Sequence, residues 1–358
     1  MSLLKRCTHV LILPLLALLI HGDASAAVVS LTGKVTDCTP TCQNGAGIFG
    51  VQIGFVESCT GQPAGAINNI TSSTGAFQTT VAAGIYDVEF TPPLGSPYTA
   101  YRLRDFDLTA SRTLAPIGLP TGVVVSGRVT DAAGVGVAGT FVHFYPPGSS
   151  DRTFTVRDKT DASGNYSVVV AAGTYDVKYG PPLPTLSLPT PFLALVRPSV
   201  SISTNAALPT AVLGAGLLVS GTVLDGSGAS RPVINVNLDA IDTVTGQSLF
   251  LSHDRSDLNG LYSLAIPPGT YRFEYKPEKC PLSAVHLLPQ DSGAFPVAAD
   301  LTLPTVTLAP GALVRGVVTD TRSTPVFDVN TGWLIENPPN SGTYTPVLTV
   351  DDHTNASG

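Results

Sequence analysis

Cysteines are the residues of this chain whose type and spacing most readily point to chemistry. Cys38, Cys42 and Cys59 lie close together after residue 26, and Cys280 lies far from them. Closely spaced thiols pair as disulfides in an oxidising compartment, or they bind a metal ion. The spacing is not the C-x-x-C of metal sites, so a metal is the less favoured alternative. We expect one disulfide among Cys38, Cys42 and Cys59, and the partner of Cys280 is left open.

Histidine and nucleophile motifs of hydrolytic enzymes are missing from the sequence. A zinc carboxypeptidase needs H-x-x-E, but none of His143, His253, His286 and His353 is followed by Glu three residues later. The chain also has no H-E-x-x-H, no G-x-S-x-G and no G-x-x-x-x-G-K-[ST] phosphate loop. We therefore expect no enzyme activity and no cofactor.

Two acidic segments, Asp161–Gly164 and Asp257–Gly260, have the D-x-S-G and D-x-N-G patterns that begin a calcium loop. A calcium loop needs further carboxylates at fixed steps and a final Glu, which do not follow here. Asp, Asn and Gly are also the residues of tight turns, because their side chains bond nearby amides or their backbones accept positive φ. The favoured interpretation is a capped hairpin turn.

The elements that position these residues are predicted to be short strands. The chain has 358 residues with 13% charged residues, 35 Gly and 30 Pro. Low charge and frequent turn residues are typical of all-β proteins and exclude a long solvated helical protein. A net charge of −7 argues against nucleic acid and anionic membranes as partners.

The first 26 residues have the pattern of a secretory leader. Lys5 and Arg6 precede the apolar run Val10–Ile20, and Ala24–Ala26 reads A-x-A. An apolar run of this length is too short to span a bilayer. We expect a signal peptide over 1–26, a secreted or cell-surface protein, and no membrane insertion.

A phrase of the form V-x-G-x-V-x-D, with Leu31 in place of the first valine in the first copy, recurs around Gly33, Gly127, Gly221 and Gly316. Its period is about 94 residues, close to the length of one small β-sandwich domain. A second phrase, D-x-x-G-x-Y, follows in the second and third copies, with Thr74-Gly75-Ala76-Phe77 at this place in the first. A third phrase is G-x-Y-x-V in the first and second copies and Gly269-Thr-Tyr271-Arg-Phe273 in the third. Alternation with period two predicts half-buried strands, and the glycines predict turns between them.

The repeat predicts the domain organisation. We expect tandem seven-stranded β-sandwich domains of Greek-key type, three complete and one truncated, over 27–118, 119–212, 213–309 and 310–358. The segments between them are short, apolar and rich in proline, as at Leu119-Pro120-Thr121. We therefore expect an elongated, semi-rigid rod.

The three phrases together resemble the carboxypeptidase regulatory-like domain, a transthyretin-like β-sandwich related to starch-binding-like and Cna B-type folds. The resemblance covers nearly the whole chain after the leader, and its motifs are turn and core signals. It implies non-catalytic domains of secreted or cell-surface proteins, with roles in adhesion or glycan contact. Cna B-type domains suggest a Lys–Asn crosslink from the first strand. Only Lys34 offers a lysine there, since the later copies have Arg128 and Thr222, so a repeated crosslink is not expected.

Aromatic residues found in only one copy are the candidates for stacking on a sugar. They are Tyr98, Tyr101, Phe144, Tyr145 and Trp333. Phe144 and Tyr145 are interpreted as loop residues.

Three functions are compatible with these observations. The first is a non-catalytic secreted or cell-surface array that acts as a structural or adhesive spacer. The second is an array of carbohydrate-binding modules, and the third is an accessory segment of a larger secreted hydrolase whose catalytic domain lies elsewhere. The expected partners are a polysaccharide or another cell-surface protein.

Overall fold

The structure is a computed structural model. It describes residues 27–38, 42, 45–149, 151–228, 230–277, 286–312, 314, 316–326, 329, 331–332, 334–336 and 341–346. The predicted leader, Cys280 and Trp333 lie outside the described residues. No helix in the described part of the chain is long and apolar enough to cross a membrane.

The first unit (residues 27–119) is built from strands alone. The strands are β1 Val28–Asp37, β2 Gln52–Glu57, β3 Ala76–Ala82, β4 Gly84–Thr91, β5 Tyr101–Leu108, β6 Arg112–Thr113 and β7 Ile117–Leu119. One sheet has the order β3-β1-β6, and β7 also pairs with β1. The other sheet has the order β2-β4-β5. β1 runs antiparallel to β3 but parallel to β6 and β7, so the unit begins and ends on neighbouring parallel strands.

The second unit (residues 123–213) repeats this arrangement. Its strands are β8 Val123–Thr130, β9 Phe141–Tyr145, β10 Asn165–Val170, β11 Gly173–Gly180, β12 Leu195–Ile202, β13 Ala206–Ala207 and β14 Ala211–Val212. One sheet has the order β10-β8-β13 with β14 also on β8, and the other has the order β12-β11-β9. β13 and β14 run parallel to β8.

The third unit (residues 217–309) has the same two sheets. Its strands are β15 Leu217–Asp225, β16 Asn237–Asp242, β17 Leu261–Ile266, β18 Gly269–Lys276, β19 His286–Leu287, β20 Gln290–Val297, β21 Leu301–Thr302 and β22 Val306–Leu308. The sheets have the orders β17-β15-β21, with β22 also on β15, and β16-β18-β20. β19 pairs instead with β23 Pro310–Gly311. Beyond it, β24 Leu334–Glu336 pairs with β25 Tyr344–Pro346.

Each unit has its own hydrophobic core between its two sheets. In the first unit the core joins Leu31 and Val35 of β1 to Phe55 of β2 and Phe90 of β4, and all four are 0–2% exposed. The second and third units have separate clusters of the same kind. Since burial of each large apolar side chain stabilises a fold by about 1.5–3 kcal/mol, the alternating pattern is sufficient to hold the sheets face to face. The chain is therefore an all-β protein of tandem β-sandwich repeats.

The repeated strand glycine makes room for an aromatic ring inside each sandwich. A β-carbon at Gly127 would lie 2.5 Å from the hydroxyl oxygen of Tyr166, and Tyr262 lies over Gly221 in the same way. The hydroxyl of Tyr166 lies 3.2 Å from that of Tyr179, and the equivalent pair in the third unit is Tyr262 and Tyr275, at 2.9 Å.

The first unit has phenylalanines at these places. Phe77 lies over Gly33, where a β-carbon would be 2.9 Å from its ring. Its ring packs edge-on against Phe90 with centroids 6.1 Å apart. The shared geometry explains why the V-x-G-x-V phrase and the aromatic residue of the second phrase occur together.

Leu119 packs in the core of the first unit and Leu213 in that of the second. A β-carbon at Gly61 would lie 4.0 Å from the side-chain oxygen of Asn235, so the first and third units meet at this point.

Candidate functional site

The junctions between units share one backbone arrangement, which we call a joint. At the first joint (residues 97–99 with 120–122), Thr99 N donates to Pro120 O at 2.9 Å, and Gly122 N donates to Pro97 O at 2.8 Å. A joint is thus a small antiparallel bridge between a proline-containing loop of one unit and the segment leading to the next.

The second and third joints repeat this bridge. At the second (residues 191–193 with 214–216), Leu193 N donates to Gly214 O at 2.8 Å, and Gly216 N donates to Pro191 O at 2.7 Å. At the third (residues 286–288 with 309–311), β19 pairs with β23, and Leu288 N donates to Ala309 O at 2.8 Å. The backbone of each connecting segment is therefore fixed by hydrogen bonds.

A glycine occupies the same place in each joint. A β-carbon at Gly122 would clash with the carbonyl oxygen of Val170, one at Gly216 would lie 2.5 Å from the Leu193 side chain, and one at Gly311 would lie 2.6 Å from Leu288. Real β-carbons do not approach other atoms this closely, so these positions accept no larger residue without a shift.

Side chains reinforce the first joint across the two units. Arg104 forms an ion pair with Asp151 at 3.0 Å. The Arg102 guanidinium lies 4.3 Å from the centre of the Phe154 ring, and Arg157 donates from Nη2 to Pro92 O at 2.8 Å. Arg157 has φ of +56°, a strained backbone for this residue type. Its conformation is held by a contact with the preceding unit.

Buried polar groups of the second unit lie behind this joint. Arg152 donates from Nη1 to Nε2 of His143, so that imidazole nitrogen must be unprotonated. Burial, and then the positive charges of Arg152 and Lys178, lower the pKa of His143 to about 3. Burial raises the pKa of Asp158, against the opposing effect of Arg152. The imidazole is neutral at physiological pH and acts as an acceptor.

The second joint uses the equivalent carbonyl but different side chains. Ser252 donates from its hydroxyl to Pro181 O at 3.0 Å. His253 lies with its ring 6.1 Å from that of Phe141, and Lys178 Nζ lies 4.8 Å from the centre of the Phe250 ring. Burial, followed by the charge of Lys159, lowers the pKa of His253. Pro92 and Pro181 each follow the central strand of a three-stranded sheet, so the first and second units present an equivalent carbonyl acceptor to the unit that follows.

A cleft of about 310 Å³ opens at the first joint. A second cleft of about 700 Å³ is lined by residues of the third unit such as Ser220, His253 and Tyr262, together with Leu183 of the second unit. The smaller cleft is lined by Tyr101, Arg102, Arg104, Arg152 and Phe154 among others. Arg102 is already paired with Glu89 at 2.8 Å and Asp87 at 3.4 Å. Within the described residues no group of three or more His, Cys, Asp or Glu side chains could hold a metal ion.

The D-x-S-G and D-x-N-G segments are hairpin turns, as the sequence predicts. The carboxylate of Asp161 accepts hydrogen bonds from the amides of Ser163 and Asn165, both at 2.9 Å. Asp257 accepts from Asn259 at 2.8 Å and from Leu261 at 2.9 Å. These bonds lower the pKa of Asp161, and one carboxylate oxygen of each aspartate, Oδ1, caps its turn.

The cysteines fall into two groups. Cys38 and Cys42 form a disulfide. Cys59 is disulfide-bonded as well. Lys34 is exposed on β1 and pairs with Ala76 in the ladder to β3.

The aromatic residues proposed for glycan contact do not form one surface. Phe144 lies on β9, not in a loop, and is fully buried, so the prediction that it contacts a glycan is wrong. Tyr145, on the same strand, is partly buried and lies under Lys178 at 3.9 Å. Tyr98 packs against the core of the first unit, and Tyr101 is 41% exposed at the first cleft. Trp333 lies outside the described residues.

The joint residues are the functional candidates that sequence reasoning missed. The glycines at 122, 216 and 311 recur just before each repeated strand, and this signal was available. The side chains that reinforce the joints differ from one joint to the next, so they give no repeated pattern.

Comparisons with known proteins found likeness only at the level of structure. No family model matches the chain, and no curated protein matches it. The Bacillus anthracis TIE protein aligns with 12% identity over 80% of this chain and 51% of its own, with a TM-score of 0.22. A streptococcal ancillary pilin aligns with 12% identity over 80% of this chain and 99% of its own, with a TM-score of 0.23.

The shaft pilin SpaA from Lactobacillus rhamnosus GG aligns with 10% identity over 54% of this chain and 100% of its own, with a TM-score of 0.24. The chain spans about half of the TIE protein and 59% of the matched chain in a cohesin–X-dockerin complex from Acetivibrio cellulolyticus. Because these TM-scores are far below 0.5, the likeness carries no inference about function. The description of this chain as an all-β protein of tandem sandwiches rests on its own sheets and cores.

Proposed function

We propose that this chain is a non-catalytic structural module of the cell exterior, in which tandem β-sandwich domains hold attached segments at fixed positions. The observation that carries the proposal is the repeated joint. The same backbone bridge occurs at all three junctions, with a glycine at the same place in each. A chain whose domains needed only to be connected would not require these contacts, because flexible linkers connect domains without them.

The charged side chains at the first joint are bound to other protein groups, which supports a structural role. At the first joint, Arg102 and Arg104 are engaged with carboxylates, and Arg157 with a main-chain carbonyl. In catalytic sites, perturbed groups face a substrate cleft with their reactive atoms available. Here the strongly perturbed His143 is held by Arg152 instead.

The predicted leader and the disulfides support an extracellular location, since disulfides persist in oxidising compartments. We propose further that each of the three units folds as a separate domain, with the first two ending at Leu119 and Leu213, and that residues after 310 begin a fourth.

Small-angle scattering of the purified chain tests the structural role. We expect the wild-type profile to fit one fixed arrangement of the units. Gly122→Val should produce a broader distribution of shapes, because its side chain displaces the Val170 carbonyl. Gly65→Val is the matched control, since a β-carbon at Gly65 meets nothing within 4 Å. A wild-type profile already typical of independently moving domains would refute the proposal.

Location and ligand are tested separately. An antibody against the chain should label intact cells of the source organism or its culture medium, and label found only inside cells would contradict the proposed location. A glycan panel tests the carbohydrate-binding alternative. A polysaccharide that raises the melting temperature, with the shift lost in Tyr101→Ala, would favour that alternative over a purely structural role.

A further inference from the structure

The cleft at the first joint is lined by basic side chains. Three of its lining residues are arginines, Arg102, Arg104 and Arg152, and no aspartate or glutamate is among the described residues that line it. The chain as a whole carries a net charge of −7. A cleft whose charged lining is entirely basic attracts anions, even in an acidic protein. The ligand that fits this lining is therefore negatively charged.

Arg104 is the exposed one of the three arginines, while Arg102 and Arg152 are partly buried. The Arg104 side chain is 54% exposed, and its ion-pair partner Asp151 is 80% exposed. Ion pairs as exposed as this one contribute little to stability, because water solvates both charges. A carboxylate from outside can therefore replace Asp151 and bond two N–H groups of the planar guanidinium at once.

Arg152 brings a second positive charge, and the group that it bonds is uncharged. Its hydrogen bond goes to the neutral imidazole of His143 and not to a carboxylate. Burial lowers the pKa of Arg152, and the charge of Arg102 also lowers it, although Asp158 opposes them. The guanidinium is thus held where its positive charge is disfavoured, and a bound carboxylate would favour that charge.

Two edge strands border the cleft. Its lining includes Tyr101 and Arg102 of β5, and Val169 and Val170 of β10. In the described part of the chain, β5 pairs only with β4, and β10 pairs only with β8. An edge strand has main-chain N–H and C=O groups on its outer side, which an extended peptide can bond as an added strand. This border favours a peptide over a sugar as the ligand.

The size and the apolar lining of the cleft fit a short peptide segment. The volume of about 310 Å³ is at the lower end of the range for ligand pockets. Tyr101, which is 41% exposed, and Phe154 line the cleft beside the arginines. A glutamate side chain can use both kinds of surface, because its aliphatic stem packs on the rings and its carboxylate reaches a guanidinium.

We propose that the cleft at the first joint binds an extended, acidic segment of a partner protein. A carboxylate of that segment replaces Asp151 at Arg104 and lies beside Arg152, and the backbone of the segment runs along the outer edge of β5. Each of the first two units supplies one side of the site, so the inference rests on the fixed first joint of the proposed function. It gives the structural module a point of attachment.

Peptide binding to the purified full chain tests the proposal. The probe is a short fluorescent peptide of alternating glutamate and threonine, and its control has glutamine in place of every glutamate. Alternation places all the carboxylates on one face of an extended strand. We expect the glutamate peptide to bind at least about tenfold more tightly than its control, as measured by fluorescence anisotropy. Equal binding of the two peptides, or binding of neither, would overturn the proposal.

Matched variants of the chain locate the binding. Arg104→Gln should weaken binding of the glutamate peptide about tenfold, and Asp151→Asn should tighten it, because a competing carboxylate is removed. The control Arg128→Gln removes an exposed arginine that does not line the cleft, and it should leave binding unchanged. Equal weakening by Arg128→Gln and Arg104→Gln would show attraction by overall charge and would refute a site at the joint.

Hydrogen exchange and an acidic sugar distinguish the other outcomes. Bound glutamate peptide should slow exchange of the amides of β5, while those of β17 in the third unit should be unchanged; protection confined to other strands would contradict the proposal. Oligogalacturonate should bind at least about tenfold more weakly than the glutamate peptide, and equal binding would refute a peptide as the ligand. The scattering profile of the unbound chain tests the fixed joint separately. A fixed arrangement without peptide binding would therefore refute this inference alone.

Discussion

The contact between the strand glycine and the aromatic ring predicts a large effect from a small substitution. In Gly221→Ala the new methyl group would overlap the hydroxyl and ring of Tyr262, whose side chain is held by a 2.9 Å hydrogen bond to Tyr275. Forcing one extra methyl group into a packed core costs about 1–3 kcal/mol. Replacing glycine also restricts the unfolded chain, which favours folding by about 0.4–1 kcal/mol. We expect a net destabilisation of the third unit by about 1–2 kcal/mol.

Native-state hydrogen exchange is the assay, because it reports the opening free energy of each unit separately. The amides of β15 and β17 should lose protection in Gly221→Ala, while those of β1 and β3 in the first unit should be unchanged. Gly65→Ala is the control, with open space around the new methyl group.

A double variant isolates the steric cause. In Gly221→Ala/Tyr262→Phe the hydroxyl nearest the new methyl group is gone, so the combined effect should be smaller than the sum of the single effects. If Gly221→Ala cost no more than Gly65→Ala, or if the two effects simply added, the explanation of the glycine by ring packing would be refuted.

Three further predictions concern single buried groups, each measured by hydrogen exchange in the unit concerned. Because the folded pKa of His143, about 3, is below its unfolded value, the unfolded state binds more protons between about pH 6.5 and 3. The second unit should therefore lose stability as pH falls through that window. In His143→Gln the stability of the second unit should depend less on pH. If the pH dependence is the same in this variant as in the wild type, His143 is not its cause. Phe77→Tyr should destabilise the first unit by about 1–3 kcal/mol, because the new hydroxyl is buried without a hydrogen-bond partner. Phe77→Tyr/Phe90→Tyr should lose less stability than Phe77→Tyr, because the two hydroxyls can then bond to each other. If the double variant loses as much stability as Phe77→Tyr, the two hydroxyls do not pair. Thr160→Val should destabilise the second unit by about 2–4 kcal/mol. The hydroxyl of Thr160 accepts a hydrogen bond from the Thr140 amide at 2.9 Å and donates one to the Val137 carbonyl oxygen at 2.7 Å, and valine can make neither. A loss of stability below about 0.5 kcal/mol would refute this.

The sequence contains the local features of the fold. Period-two alternation and turn chemistry identify the strands around Gly33, Gly127 and Gly221 and the turns at Asp161 and Asp257, because these depend on neighbours a few residues away. The repeat then extends the same interpretation to every unit.

Which face of a strand is buried was harder to predict. β9 reads Phe141–Tyr145, FVHFY, with apolar or aromatic residues on both faces. Its outward face is covered by the segment after the strand, where Arg152 contacts His143. The alternation of apolar and polar residues along β9 therefore could not show that Phe144 is the more deeply buried of Phe144 and Tyr145.

The contacts between units could not be predicted from the sequence. Arg157 and its acceptor Pro92 are 65 residues apart, and Arg104 and Asp151 are 47 apart. At the second joint a serine, Ser252, replaces arginine as the donor to the equivalent carbonyl. A pairing between distant residues that changes its chemistry at each junction leaves no periodic signal.

The parallel pairing of first and last strands determines how each unit resists a pulling force. β1 lies beside β6 and β7, β8 beside β13 and β14, and β15 beside β21 and β22, all in parallel. Tension on the two ends of a unit pulls such neighbours in opposite directions along their length. The hydrogen bonds between them are then sheared together and not opened one after another. The order of strands alone thus makes each sandwich mechanically strong along the chain.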